Sequence, residues 1–316
     1  MLSHLPVFHN LPAYDERFWR PDDGRNVGLS VSGGRSSGHG AWHIVEANGG
    51  LPTGVIPHFC NTGREARETL DFIHRLDTEL GLDTHWLEFD LSQPNKVKRV
   101  TYETANRDGK PFRSFLYDEI IRRDKTKGVR PLPNPAQRTC TDQLKAKTWH
   151  RYARRHLGWS TDYYTVLGFR ADEPARIEKR KKRDAKGWPE TGKGLFVIAE
   201  AGVTTEIKEN FWFSAPFDLH LSSDHGNCDY CFMLSTWKLK ERMLMEAISS
   251  GYGLVPDRPP PRLQFWIDCE ERQSDRPGVF RKDRPSYRAL WLEVCSGNME
   301  SSVREGKADQ CGTCGT

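Results

Sequence analysis

The fold is decided by the stretch Val27-Gly28-Leu29-Ser30-Val31-Ser32-Gly33-Gly34-Arg35-Ser36-Ser37-Gly38, a short apolar run that ends in glycines and hydroxyl-bearing residues. We expect a strand that leads through a Gly-rich turn into a helix. The first backbone N–H groups of a helix have no partner within the helix, and the helix dipole favours an anion beside them. The stretch therefore predicts a phosphate-binding turn.

This turn differs from the commonest phosphate-binding loops. A Walker loop requires Gly-x-x-x-x-Gly-Lys-Ser/Thr, and no lysine stands at the expected helix start here. The spacing of the glycines also differs from the Rossmann dinucleotide fingerprint. The turn is therefore not that of an ordinary nucleoside triphosphatase or of a dinucleotide-binding enzyme.

The regular elements around this turn alternate between strand and helix. A helix is expected over 36–48, a second strand over 54–59 and a third over 85–89, and between the last two the apolar residues are spaced by three and four, at Leu70, Ile73, Leu76 and Leu80. This order predicts an α/β fold with a doubly wound parallel sheet, in which ligands bind at the carboxyl ends of the strands.

Composition places the chain among folded, polar-surfaced proteins. It has 316 residues, 28% charged residues and ten Trp, which is enough for one large domain or two. The net charge of +4 permits nucleic-acid binding without requiring it. We find no signal peptide and no apolar run of membrane-spanning length, so we expect a cytoplasmic protein without a membrane partner.

The motif Ser32-Gly33-Gly34-x-x-Ser37 resembles the PP-loop of N-type ATP pyrophosphatases and phosphoadenosine phosphosulfate (PAPS) reductases. The resemblance implies the HUP/PP-loop type of α/β fold. It also implies that the backbone of the two glycines approaches a phosphate and that the serine hydroxyls, including that of Ser36, donate to it.

Arg35 and Ser36 stand where ATP-cleaving members of this superfamily usually have Lys-Asp. Arginine keeps the positive charge and has a fork suited to phosphate. The carboxylate that would contact metal or nucleotide is absent.

A second motif follows the second predicted strand. Asn61-Thr62-Gly63-x-x-x-x-Glu68-Thr69 resembles the Asp-Thr-Gly-x-x-Phe-Pro-Glu-Thr segment of PAPS reductases, which lies beside the nucleotide. Asn61 replaces the aspartate and leaves a hydrogen-bonding group for a ribose or base. The same residues also fit a plain helix start, with Thr62 as N-cap and Glu65 three residues later.

A third motif, Gly168-Phe169-Arg170-Ala171-Asp172-Glu173, is similar to the Gly-Ile-Arg-x-x-Glu-Ser segment of the family. The resemblance makes Gly168 and Arg170 nucleotide-binding residues and Arg170 the catalytic clamp on the phosphates, since a guanidinium binds phosphate oxygens in pairs. The alternative is a surface ion pair of Arg170 with Asp172 or Glu173.

Eight cysteines in a chain expected to be cytosolic favour metal, cluster or redox chemistry over disulfides. Cys228 and Cys231 form a Cys-x-x-Cys pair, and Cys311 and Cys314 repeat this spacing near the C-terminus. Two such pairs are suited to Zn²⁺. The other cysteines, Cys60, Cys269 and Cys295, are expected to be buried packing residues, and the histidines are expected to be structural.

The segment around Cys140 resembles the Cys-Cys-x-x-x-Lys region of sulfonucleotide reductases, with Thr139 in place of the first cysteine. That resemblance implies a [4Fe–4S] cluster held by Cys140, Cys228, Cys231 and Cys311. The tail also resembles the nucleophilic Glu-Cys-Gly of PAPS reductases, which makes Cys314 or Cys311 a candidate for attack on sulfur. Spacing alone does not separate iron–sulfur from zinc.

The densest basic run lies at 178–183. It is either a solvated face or a mobile flap that reaches a phosphorylated or nucleic-acid substrate.

These features divide the chain into an N-terminal arm (1–25), a nucleotide-binding domain (26–220) and a cysteine-bearing region packed on it (221–316). The resemblance is to proteins often encoded by bacteriophages. It implies an enzyme that uses ATP and Mg²⁺ to adenylate an acceptor, a nucleic acid among the candidates, and then transfers sulfur from a donor protein, releasing pyrophosphate and AMP. Two alternatives remain: reduction of PAPS or adenylyl sulfate with a thiol reductant, and a zinc-stapled nucleotide or nucleic-acid binding protein without catalysis.

Overall fold

The computed structural model describes residues 23–118, 120–121, 127–128, 130–187, 192–221, 228–271 and 278–300. Most of the predicted N-terminal arm and the two tail cysteines, Cys311 and Cys314, lie outside the described residues.

A six-stranded sheet forms the centre of the described chain. Its strands are β1 (Val27–Ser30), β2 (Val55–Asn61), β3 (His85–Phe89), β4 (Val97–Val100), β7 (Tyr164–Val166) and β8 (Lys193–Leu195). Their order is β4-β3-β2-β1-β7-β8, and only β4 runs antiparallel to its neighbour. Val27 of β1 lies opposite Val55 and Tyr164. A separate antiparallel pair joins β5 (Ile120–Ile121) to β6 (Lys127–Gly128).

Helices connect the strands and form the C-terminal part of the chain. They are α1 (Arg35–Asn48), α2 (Arg67–Leu80), α3 (Lys110–Tyr117), a π-helical turn (Thr141–Ala146), α4 (Lys147–His156), α5 (Pro174–Asp184), α6 (Val197–Glu200), α7 (Thr205–Ser214), α8 (Thr236–Ser249), α9 (Pro261–Glu271) and α10 (Tyr287–Cys295). None of the described helices is long and apolar enough to cross a membrane.

The prediction of an α/β fold with a mainly parallel sheet is confirmed. The two glycines that follow α1 and α2, Gly49 and Gly81, have φ of 64° and 63°, the left-handed conformation that ends a helix.

The strand order reverses at β1. The strands β2, β3 and β4 lie on one side of β1, and β7 and β8 lie on its other side. In open α/β sheets such a switch point is where a ligand-binding crevice forms.

Separate clusters of buried side chains cover the two faces of the sheet. Trp42, Phe72 and Trp212 bring α1, α2 and α7 onto one face, and Trp149 and Tyr152 bring α4 onto the other. The C-terminal helices share a third cluster with α3, which includes Phe112, Phe115, Leu239, Trp266 and Trp291. The C-terminal region is therefore packed into the rest of the chain through a common core.

The basic run at 178–183, for which the sequence allows a solvated face or a mobile flap, lies within α5. Lys179 and Lys182 are exposed, whereas Arg180 is buried and its Nε donates to Asp184 at 2.8 Å.

Three buried histidines should make the protein less stable in acid. Burial lowers the pKa of His39 to about 2, that of His43 to about 4 and that of His58 to about 3. The unfolded chain, with histidine pKa values near 6.5, therefore binds protons that the folded chain excludes. The free energy of unfolding should fall as the pH decreases from about 6.5, by up to about 1.4 kcal/mol per pH unit for each histidine.

Urea unfolding of the wild type and of His58→Phe across this pH range measures the effect. The phenyl ring can keep the stack on Trp149, whose ring centroid lies 3.7 Å from that of His58, while one titrating group is removed. The variant should lose about one proton from the pH dependence. Equal slopes for the wild type and His58→Phe would contradict the assignment.

Candidate functional site

The loop between β1 and α1 folds back on itself through its serines. Ser37 Oγ accepts from the backbone N–H of Ser32 at 3.0 Å and donates to the carbonyl of Gly34 at 2.9 Å. Gly33 has φ of +80°, and a Cβ there would lie 2.3 Å from a methyl group of Thr69. Gly34 is the N-cap of α1, and no side chain caps this helix. The first-turn amides of α1 are therefore left uncapped by side chains.

The neighbouring strand end closes against this loop. A Cβ on Gly168 would lie 2.8 Å from the backbone nitrogen of Ser37, so only glycine allows β7 to end so close to α1. Two residues later, Arg170 Nη1 donates to Ser36 Oγ at 3.3 Å. The structure thus brings the first and third predicted motifs together.

Arg170 also contacts Asp172 and Glu173, the two carboxylates of the predicted alternative, a surface ion pair. Its Nε donates to Asp172 at 3.0 Å, and its Nη1 lies 3.3 Å from Glu173. The guanidinium is consequently oriented by two acids while it borders the loop.

Arg35 does not point its guanidinium at the loop. Its Nε donates to Asp218 Oδ1 at 2.7 Å, a second nitrogen donates to the other oxygen of Asp218, and Nη1 lies 3.5 Å from Glu209. The Arg35 guanidinium, which the sequence predicted to bind phosphate, therefore forms a bidentate ion pair within the protein. Its partner, Asp218, lies 183 residues away in sequence.

The second motif forms a buried turn. Asn61 is fully buried, and its side-chain amide donates to Glu88 at 2.6 Å and to the carbonyl of Asn106 at 2.8 Å. Its Oδ1 accepts from the backbone N–H of Gly63 at 2.9 Å. Asn61 thus shapes the turn, whereas the sequence predicted a contact with the ribose or base.

The helix-start alternative for this motif is wrong in its position. α2 begins at Arg67, after an N-cap at Ala66, so Thr62 caps no helix. Instead Thr62 donates from its backbone N–H and its hydroxyl to the carboxylate of Glu65, at 2.8 and 3.0 Å.

A pocket of about 420 Å³, counting space open to solvent, lies beside the loop at the carboxyl ends of β1 and β2. Its lining includes Ser32, His58, Cys60, Lys145 and Trp149. The rings of His58 and Trp149 are stacked within 5° of parallel, and the indole N–H of Trp149 is buried without a hydrogen-bond partner. The pocket is mainly apolar and lies next to the 32–37 loop.

A second pocket, of about 460 Å³ counting space open to solvent, is lined by three of the four cysteines expected to hold metal: Cys140, Cys228 and Cys231. Lys145 lines both pockets, so the two pockets adjoin. In the part of the chain that the structure describes, no three His, Cys, Asp or Glu side chains converge closely enough to hold one metal ion. The expected fourth ligand, Cys311, lies outside the described residues.

Two acids for which the sequence predicted no role at the cysteines, Glu65 and Asp229, make contacts around the cysteine pocket. The Glu65 carboxylate accepts from the Cys228 thiol at 3.7 Å and lies 3.7 Å from Lys145 Nζ. Asp229, inside the Cys-x-x-Cys, accepts from Arg64 at 2.5 Å and from Arg262 at 2.6 Å. The only sign of this network in the sequence is that Asp229 stands between two cysteines. Its arginine partners are too distant along the chain to be identified from the sequence.

Of the cysteines expected to pack in the core, Cys60 and Cys269 are buried and Cys295 is half-buried. Burial raises the pKa of the Cys60 thiol to about 12, and the thiol donates to the carbonyl of Lys145 at 3.4 Å. Cys60 is therefore a protonated packing residue, although it borders the first pocket.

Replacing Asp229 with Asn should destabilise the protein by about 3 kcal/mol or more, since Arg64 would stay buried without its counter-charge. Asp229 is 1% and Arg64 2% exposed. Thermal and urea unfolding measure the loss. As a matched control, Asp83→Asn removes a carboxylate whose side chain is 89% exposed and 3.8 Å from Arg99, and should cost less than about 1 kcal/mol. Similar losses in both variants would contradict a central role for Asp229.

Comparison with known proteins gives one relative without a described activity. No protein-family model matches the chain. The chain is 28% identical over 218 residues to a protein of Escherichia phage lambda described as an uncharacterized nin region protein, ORF290. The aligned part covers 67% of this chain and 67% of the phage protein. The chain is thus similar to a phage-encoded protein.

Proposed function

We propose that this chain is a PP-loop enzyme of the PAPS reductase-like group and that it uses ATP for sulfur transfer. One observation carries the proposal: the 32–37 loop, Arg170 and the three-cysteine pocket lie at the same end of the sheet, with Lys145 between the two pockets. A nucleotide in the first pocket would have its phosphates at the uncapped start of α1 and beside Arg170. It would also adjoin the cysteines.

The first half of the proposed reaction is adenylation. ATP enters with Mg²⁺, which offsets phosphate charge when bound. The backbone amides at the start of α1 and the Arg170 guanidinium hold the α-phosphate, and an acceptor oxygen attacks its phosphorus. The new P–O bond forms as the bond to the leaving oxygen breaks, and pyrophosphate departs. The first pocket, which is bordered by Ser32, His58 and Lys145, receives the adenine.

The second half transfers sulfur. The terminal sulfur of a persulfide on a donor protein attacks the acceptor carbon that carries the adenylate. A C–S bond forms, the C–O bond breaks, and AMP leaves, so the acceptor is joined to the donor by an S–S bond. A second thiol of the donor protein then attacks the donor cysteine sulfur. The S–S bond to the acceptor breaks, the donor is oxidised to a disulfide, and the sulfur stays on the acceptor. This chain would receive or relay sulfur in the second pocket, which is lined by Cys140, Cys228 and Cys231. Lys145 separates that pocket from the proposed nucleotide.

The second pocket is lined by three of the four cysteines that the family resemblance assigns to a cluster, Cys140, Cys228 and Cys231. The preference for a [4Fe–4S] cluster over one zinc ion rests on that resemblance. A cluster would take Cys140, Cys228 and Cys231 with Cys311 as the fourth ligand, leaving Cys314 as a nucleophile. Its electron-transfer or sulfur-binding chemistry would then be supplied beside the nucleotide.

Gly34→Val tests the nucleotide loop. Gly34 has φ −96° and ψ 155°, a backbone that valine adopts readily, so the fold should be kept while a side chain enters the space in front of the α1 amides. We expect ATP binding, measured by calorimetry, to weaken by on the order of tenfold or more. Pyrophosphate release should fall with it.

Gly40→Ala is the matched control in the same helix. A Cβ there meets its nearest neighbour at 3.6 Å, an ordinary contact, and alanine favours the helix. This variant should bind ATP as the wild type does. Unchanged ATP affinity in Gly34→Val, or sulfite release from PAPS without pyrophosphate release from ATP, would overturn the proposal.

A further inference from the structure

Two helices, α4 and α5, are strongly basic. α4 has four Lys or Arg and no Asp or Glu, and α5 has six Lys or Arg and two Asp or Glu. Their combined net charge is +8, whereas the whole chain has +4. The rest of the chain, taken together, is therefore net negative.

Much of this charge faces solvent. Arg154 and Arg155 of α4 and Lys179 and Lys182 of α5 are exposed. Neither helix, both fully described, exposes a large apolar side chain. A helix that lies on a membrane surface combines basic residues with an apolar face, so the composition of these faces favours a polyanion in water over a bilayer.

The two helices lie on the same face of the sheet, on either side of Tyr163. His150 Nδ1 of α4 is 3.4 Å from the Tyr163 hydroxyl, and Arg180 of α5 interacts electrostatically with Tyr163. Both helices also begin at the candidate site: α4 continues the π-helical turn that contains Lys145, and α5 starts four residues after Arg170. The basic surface thus leads to the site.

The following inference rests on the proposed function and names its acceptor. We propose that the outer faces of α4 and α5 bind the phosphodiester backbone of a nucleic acid, which presents an acceptor base to the nucleotide site. Arg154, Arg155, Lys179 and Lys182 define this basic surface. Helices of 10 and 11 residues are about 15 Å long, so each spans several backbone phosphates.

Oligonucleotide binding across a salt series tests the surface. The probes are single-stranded RNA, single-stranded DNA and duplex DNA of about 20 nucleotides. Fluorescence anisotropy measures the affinity of the full chain for each probe. Lys179→Gln/Lys182→Gln should weaken binding of the preferred probe by on the order of tenfold at low salt. It should also lower the slope of log affinity against log salt by about 2.

The control variant removes two exposed charges on the opposite face of the sheet. Arg67→Gln/Arg75→Gln alters α2, where both side chains form surface pairs within the helix, and should leave oligonucleotide binding unchanged. The docking proposal is overturned by the absence of binding to every probe, by equal effects in the two variants, or by stronger binding to anionic phospholipid vesicles than to oligonucleotides.

ATP binding separates this proposal from the one on which it rests. Lys179→Gln/Lys182→Gln should bind ATP like the wild type, because neither lysine lines the nucleotide pocket. A wild type that binds oligonucleotides through α5 but does not bind ATP would keep the docking surface and remove the proposed function, together with the role of the nucleic acid as acceptor.

Discussion

The buried carboxylate of Asp229 joins the two halves of the candidate site. It accepts hydrogen bonds from Arg64, in the turn after β2, and from Arg262 and Trp266, in α9. Its own backbone N–H donates to the carbonyl of Arg64 at 2.7 Å. The Cys-x-x-Cys segment is thereby fixed against the sheet edge at which the 32–37 loop lies.

A buried ion pair of this kind is weak evidence for stability, because desolvation offsets much of the Coulomb attraction. Its value here is positional. Glu65 extends the same network by accepting from the Cys228 thiol and by pairing with Lys145, whose side chain borders both pockets. One turn of the chain, 61–65, therefore connects the cysteines, the lysine and the strand that ends beside the nucleotide loop.

The sequence predicted the elements whose signals are local. The periodicity of α2, the glycines that end α1 and α2, and the glycine turn after β1 all follow from residues within a few positions of one another. The grouping of Cys140 with Cys228 and Cys231 came from a family resemblance, and the structure places all three on one pocket. The pairing of Arg35 with Asp218 and the burial of Asn61 against Glu88 depend on partners far along the chain. No local pattern indicates such contacts, so these protein partners could not be predicted, and the ligand roles of Arg35 and Asn61 stay predictions.

The central claim is that nucleotide and cysteines share one site, and the absorption spectrum of anaerobically purified protein tests it most directly. Our account predicts a brown protein with about four irons per chain, whose visible spectrum changes when ATP is added, because Lys145 lies between the two pockets. A colourless protein with one zinc, or an iron chromophore that does not respond to ATP at saturating concentration, would contradict the account.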